Sequence, residues 1–174
     1  MRNLLFVMLL CLPIFAGNLQ LQNGSVTAHT QMMWESIDPK NEKLYADVNI
    51  QDGDITSLRG KFWVDMKLFI VEKPDMDEHM HESIASEKFK FSTFKISTIS
   101  KSDEKDKYTI YGILNFYGVD KELKVNATII SNDDNLTLNA NSTIFVTDFG
   151  METVCKFFMC VDDKIDFKVN ATFK

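Results

Sequence analysis

Long stretches of strict apolar–polar alternation limit what this chain can fold into more than any other feature. In KFWVDMKLFI (61–70), Phe62, Val64, Met66, Leu68 and Ile70 share one face. In YTIYGILNF (108–116) the shared face holds Ile110, Leu114 and Phe116. ELKVNATI (122–129) places Leu123, Val125, Ala127 and Ile129 together, and NLTLNANSTIFV (135–146) does the same for Leu136, Leu138, Ala140, Ile144 and Val146. KIDFKVNATF (164–173) aligns Ile165, Phe167, Val169, Ala171 and Phe173. The intervening positions are mostly Lys, Asp, Asn, Thr and Glu. A period of two puts successive side chains on opposite faces of an extended strand, so these are strands with one buried and one wet face.

SVTAHTQMMW (25–34) and KLYADVNI (43–50) repeat the pattern less cleanly, and FKFSTFKIS (89–97) slips phase between Phe91 and Phe94, which predicts a bulge there. Eight strands are expected, over 25–34, 43–51, 59–71, 88–98, 107–117, 121–131, 135–147 and 163–173. The polar connections SIDPKN, SKSDEKDK, YGVDKE and SNDD have turn chemistry. Hairpin-joined strands form an antiparallel meander. Eight of them close most simply into an all-β up-and-down barrel, which removes the exposed edges; a two-sheet sandwich is the competing architecture.

The 174-residue chain opens with MRNLLFVMLLCLPIFAG. A basic Arg2, an apolar run from Leu4 to Phe15 and the small pair Ala16–Gly17 make residues 1–17 a secretory signal peptide, too short to be a comfortable membrane anchor. Leu10 before Cys11 is not the small residue that a lipid-attachment site wants. Loss of Arg2 takes the formal charge from −6 to −7. Such an acidic chain is a poor partner for nucleic acid or for anionic headgroups. The remaining cysteines, Cys155 and Cys160, form an even pair in an exported chain and are expected to be a disulfide. Residues 18–174 then make one domain, with a periplasmic location.

The 73–87 connection is the exception to the alternation. Pro74, Asp75 and Glu78 carry helix-start signals, and Met76, Met80, Ser83 and Ile84 fall on one helical face, predicting a short helix over about 75–85. Two of the three histidines lie in its DMDEHMHESI stretch. His79 and His81 are two apart and point away from each other on a helix, so no three-ligand metal set or acid–base pair assembles. No nucleophile elbow, phosphate loop or zinc signature occurs elsewhere, and neither a catalytic residue nor a metal ligand is assigned. His29 stands alone on a strand. The sequons at Asn126, Asn135, Asn141 and Asn170 follow from alternating Asn and Thr, with Asn135 best placed for modification.

These segments, in order, resemble the YceI-like family of exported lipocalin-like proteins associated with polyisoprenoid and other long-chain lipids. The matching pieces are LRGKFWVDMKLF (58–69), DEHM with Ser83, FKFSTFKI (89–96), YGILNFYGVDKELKV (111–125) and TIFVTDFGM (143–151). AHT (28–30) with IDP (37–39) resembles a subset of that family. Met76 and Thr147 depart from it, since the family usually has arginines there, and CKFFMC (155–160) is not part of its general pattern. The resemblance implies a lipocalin-like barrel with an elongated apolar pocket that carries an isoprenoid, an isoprenoid quinone or a fatty-acyl chain.

Read onto the alternation, the ligand-binding set is Phe62, Val64, Met66 and Leu68 from one strand, Phe89 and Phe91, then Ile110, Leu114 and Phe116, with Ile144 and Phe167. Met76, Met80 and Ile84 cover the mouth from the helix. The small positions Ala46, Gly112, Ala127, Ala140 and Ala171 leave room for a channel. Phe157, Phe158 and Met159 are expected to pack under a barrel end, with a part in the entrance as the alternative. No cofactor is expected other than a bound long-chain lipid or quinone, and no stable membrane anchor; a homodimer is left open. The competing function is a non-carrier stress-response or interaction protein with a filled barrel.

Overall fold

The computed structural model describes residues 16–174 apart from Trp34, Asp133, Asp134, Val154, Phe157 and Phe158. Most of the signal-peptide segment and the Phe157–Phe158 pair therefore lie outside the described residues. Strand β1 (Ala16–Leu19) runs through Gln20 into β2 (Leu21–Met32), followed by the short β3 (Glu35–Ile37) and β4 (Lys40–Asn41). The long strands β5 (Leu44–Gln51), β6 (Asp54–Asp65), β7 (Phe91–Lys101), β8 (Lys107–Phe116), β9 (Val119–Ser131) and β10 (Leu136–Phe145) follow. A small hairpin, β11 (Cys155–Lys156) and β12 (Met159–Cys160), precedes the last strand β13 (Lys164–Phe173). Helix α1 (Pro74–Ser83) lies between β6 and β7, and short 3-10 turns occupy Met66–Leu68 and Val146–Phe149.

The antiparallel ladder runs β1-β5-β6-β7-β8-β9-β10-β13-β2-β3. Its first and ninth members are adjacent in the chain. β1 pairs with β5 (Leu19 opposite Val48), whereas β2 pairs with β13 (Val26 opposite Val169), so one kinked strand joins the two ends of a curled sheet. Counting that strand once gives eight long strands in a lipocalin-like barrel, with the short strands as additions.

Alternation decides which face is inside. In β10, Leu136, Leu138, Ala140 and Ile144 are buried while Asn139, Asn141, Thr143 and Phe145 are exposed. Two hairpins use two-residue turns, Asp52–Gly53 and Tyr117–Gly118, with positive φ at both residues, the backbone twist that matches antiparallel strands. Gly60 in β6 has φ of 130°, and a Cβ there would lie 2.1 Å from the Asp47 carbonyl oxygen, so only glycine lets β6 pass β5 so closely.

Three local expectations are corrected. β6 ends at Asp65, and a 3-10 turn whose Lys67 N–H is capped by the Asp65 carboxylate carries Met66–Leu68, so Ile70, placed inward by the alternation, is 61% exposed. β7 keeps unbroken register from Phe91 to Ile96 and shifts between Ile96 and Thr98, so the bulge lies later than the Phe91–Phe94 slip. Ser92, Phe94 and Ile96 therefore take the inner parity, and Phe91 faces out at 51% exposed. At α1, Lys73 occupies the N-cap without a side-chain bond and Pro74 begins the first turn, so no capping box forms.

The two barrel ends differ. Opposite the helix, Leu58, Phe173, Ile129 and Val48 are 0 to 2% exposed and pack that end closed among the described residues. The helix end is covered by the 3-10 turns, with Phe149 edge-on to Phe116 at 5.5 Å, and by Met80 and Ile84 of α1 packed on the core. Among the described residues no helix is long and apolar enough to cross a membrane.

Candidate functional site

An apolar cavity of about 130 Å³ occupies the barrel interior toward the helix end. Val26, Leu44, Phe62, Val64, Phe94, Ile110, Leu114, Leu138 and Ala140 contribute to its wall, and Met66, Phe69 and Phe116 bound it near the helix. Each comes from the inner parity of its strand or from the turn after β6. Trp63 borders the cavity while its ring stacks on exposed Tyr45 at 5.6 Å, and the other lining residues with polar side chains are Ser92, Asn141 and Ser142. Ser92 donates to the Asn115 carbonyl at 2.8 Å and Ser142 to the Lys124 carbonyl at 2.9 Å, so both hydroxyls are engaged with backbone. A wall of this kind binds through burial of hydrocarbon and offers few directional contacts.

Seven of the residues chosen from the sequence meet at this cavity: Phe62, Val64, Met66, Ile110, Leu114, Phe116 and Phe167. Ile144 is buried in the core without lining it, and Leu68 is half-buried in the 3-10 turn. Met80 and Ile84 pack against the core from above, whereas Met76 is half-buried and outside that cluster. Phe89 lies 4.5 Å from Tyr117, against Gly118. Phe91 is away from the cavity on the outer face. The choice from sequence omitted Val26, Leu44, Phe94, Leu123, Val125, Leu138 and Val169, although alternation had already aligned Leu123, Val125, Leu138 and Val169 on inner faces; Ala140 lines the cavity as one of the small channel positions.

The histidines of α1 go to different partners. His79 faces Glu82 at 3.6 Å and His81 faces Asp77 at 3.8 Å. Asp77 accepts a 2.8 Å hydrogen bond from the buried Val71 N–H, which ties the helix to the chain leaving β6. His29 pairs with Asp38 at 2.6 Å, joining the AHT and IDP segments, and this bond, with help from Ser36 and Lys168, holds the Asp38 carboxyl below its ordinary range. Thr147, at the departure from the family arginine, caps Asp163 through its N–H at 2.9 Å and its hydroxyl at 2.8 Å. Cys155 and Cys160 are joined as a disulfide across β11 and β12.

Over residues 18–173 the sequence matches the YceI-like domain. The chain belongs to the YceI-like family. Its fold is similar to the crystal structure of BcnA from Burkholderia cenocepacia, at a TM-score of 0.76 with 18% identity over 86% of this chain and 95% of that one. A polyisoprenoid binding domain from Saccharophagus degradans, implicated in plant cell wall breakdown, superposes at 0.65 with 7% identity, covering 90% of this chain and 97% of that chain. The YceI protein of Campylobacter jejuni gives 0.64 with 16% identity over 77% and 82% of the two chains. At these identities the likeness is one of fold. No curated protein matches the chain by sequence. The departures of this YceI-like chain, Met76 and Thr147 in place of arginines and the Cys155–Cys160 hairpin, lie around the helix end rather than in the cavity wall.

Proposed function

We propose that this YceI-like protein is an exported binding protein that holds one long apolar chain, isoprenoid or acyl, inside its barrel. The observation that carries this reading is a cavity walled almost wholly by hydrocarbon and aromatic groups in a barrel sealed at its far end. The polyisoprenoid-binding domain among the fold neighbours supports the same class of ligand. Separate carboxylate partners for His79 and His81 favour passive binding over catalysis. The leader-like first 17 residues and the Cys155–Cys160 disulfide support a periplasmic location.

Magnitudes set what such a barrel can hold. Each buried methylene contributes about 0.8 kcal/mol, while association costs roughly 4–15 kcal/mol. Even at the lowest cost, about 15 methylenes are needed to reach micromolar affinity, which selects long chains. The resting cavity of about 130 Å³ is smaller than the roughly 300–1,000 Å³ of most ligand pockets, so a long chain enters by displacing side chains such as Phe94 and Leu114. That small volume also favours the second reading, a non-carrier stress-response or interaction protein with a filled barrel.

Native mass spectrometry after detergent-free purification separates the two. A copurifying hydrocarbon ligand, or adducts with added ubiquinone or fatty acids of 12 to 18 carbons whose affinity rises about fourfold per methylene, is the expected result. A protein free of lipid that takes up none of these probes would overturn the carrier reading.

A further inference from the structure

Between β9 and β10 the barrel wall is only half stitched. Their ladder runs from Leu136 opposite Ser131 to Asn141 opposite Asn126 and stops there. Toward the helix end, residues 119–125 pair with β8 alone and residues 142–145 with β13 alone. Continued in register, the ladder would set Lys124 against Thr143. Among the described residues, one hydrogen bond spans the opening instead, from the Ser142 hydroxyl to the Lys124 carbonyl at 2.9 Å.

The cavity reaches this opening. Leu123 and Val125 line it from one lip, Asn141 and Ser142 from the other. Asn141, the last β10 residue paired with β9, and Ser142, the first one unpaired, both border the space, so the cavity reaches the point where the ladder ends. Inward-facing Leu123 and Phe167 are only half-buried, whereas Phe173 at the far end is fully buried. Along the other interrupted seam, where β2 passes β5, an open surface groove runs between residues 19–24 and 42–46, but its floor is in contact. Gly24 has no Cβ, and one placed there would lie 2.7 Å from the Leu44 Cβ, so the two strands touch through buried Leu44. The Asn41 amide adds a 2.9 Å bond to the Asp65 carbonyl beside that seam.

We propose that the β9–β10 opening is the port through which the hydrocarbon chain enters, and the place where the polar end of the ligand rests. The inference deepens the carrier reading and rests on it. A slot between two strand edges passes one slender chain and not a two-tailed lipid. Its rim carries the polar partners that the cavity lacks: the Ser142 hydroxyl, the Asn141 amide, the Lys124 ammonium and backbone groups left without a ladder partner. The ligand class is therefore a single-chain amphiphile with a compact hydrogen-bonding head, such as a carboxylate or a quinone carbonyl. Ser142 latches the slot when it is empty.

A reversible staple tests the port. In the doubly substituted chain Lys124→Cys with Thr143→Cys, oxidation closes the slot; in Lys124→Cys with Tyr111→Cys it links positions already paired across the intact β8–β9 ladder. The probe is cis-parinaric acid, followed by stopped-flow fluorescence, and free-thiol titration reports closure. The expected result is at least a tenfold slower association in the first staple and an unchanged rate in the second. A dansyl label on Lys124→Cys reports the head: fatty acid brominated beside the carboxyl should quench it more than acid brominated at the far end. If the closed first staple binds parinaric acid at the unstapled rate, the chain enters elsewhere and the port is refuted while the carrier reading stands. If the terminal bromine quenches as strongly, the head assignment is refuted. Failure of the unsubstituted protein to bind either fatty-acid probe overturns port and carrier readings together.

Discussion

Ala140→Leu puts the cavity itself to the test. Ala140 lines the cavity, is 8% exposed, and lies between Ala127 and Val169 on the neighbouring strands. Leucine adds three carbon atoms on the inner parity. If the space of about 130 Å³ is free, they fill it and contribute about 2.4 kcal/mol of transfer free energy, at about 0.8 kcal/mol per carbon. Ordering the new side chain costs about 0.5–1 kcal/mol. A net gain of about 1–2 kcal/mol should raise the melting temperature by roughly 2–8 °C for a domain of this size. Fatty-acid affinity should fall at least tenfold, because the leucine occupies the volume that a chain would use. Urea denaturation and a parinaric acid titration read the two effects on the same preparation. If the barrel were instead packed solid, the added carbons would overpack it and cost about 1–3 kcal/mol. A destabilised variant would therefore refute the free cavity and support the filled-barrel reading.

Other outcomes follow from single contacts. Gly60→Ala combines a φ of 130° with a Cβ 2.1 Å from the Asp47 carbonyl oxygen, and should cost well over the roughly 1 kcal/mol of an average substitution, read as a drop in the urea midpoint. Asp77→Ala strands the buried Val71 N–H and should cost about 1–3 kcal/mol, with faster amide exchange in α1, whereas Asp77→Asn retains an acceptor and should recover most of the loss. The Asp38 carboxyl is lowered chiefly by its bond to His29, so its contribution to stability is present above the ordinary carboxylate value near 3.8 and is lost as pH falls through and below it. His29→Ala should flatten the acid limb of the stability curve there and lower stability at pH 7 by the same amount, a small one because both side chains are exposed. Replacing Cys155 and Cys160 by serine should lower stability by about 2 kcal/mol, the chain-entropy value for so short a loop.

The alternating stretches made most of the barrel legible before any coordinates. Period-two burial cannot be satisfied by a helix, and in β9, β10 and β13 the buried apolar residues were assigned by parity alone. Where a stretch left the period, the sequence was ambiguous. Phe91 and Phe94 cannot share a face without a bulge between them, and only the pairing of β7 with its neighbours shows that the register slips later, so that Phe91 faces out. Met66, Leu68 and Ile70 continue the apolar alternation of β6, yet the Asp65 carboxylate caps a 3-10 turn and swings Ile70 into solvent. Local patterning cannot foresee a cap that competes with strand continuation.

The sequence by itself determined most of the strands and their inner faces, a short helix with Met80 and Ile84 turned toward the core, and family membership. These depend on local periodicity and on motifs in order. Only the tertiary structure decided that Gln20 lets one strand serve both ends of the ladder, that the far end is packed shut, and that the space lies near Phe62, Leu114 and Ala140. It also decided that β9 and β10 part beyond Asn126 and Asn141. Those features depend on which strands meet, and at what register, across long stretches of chain. Parity states which way Leu123 or Phe167 points; closure of the sheet decides whether anything stands opposite to fill the space.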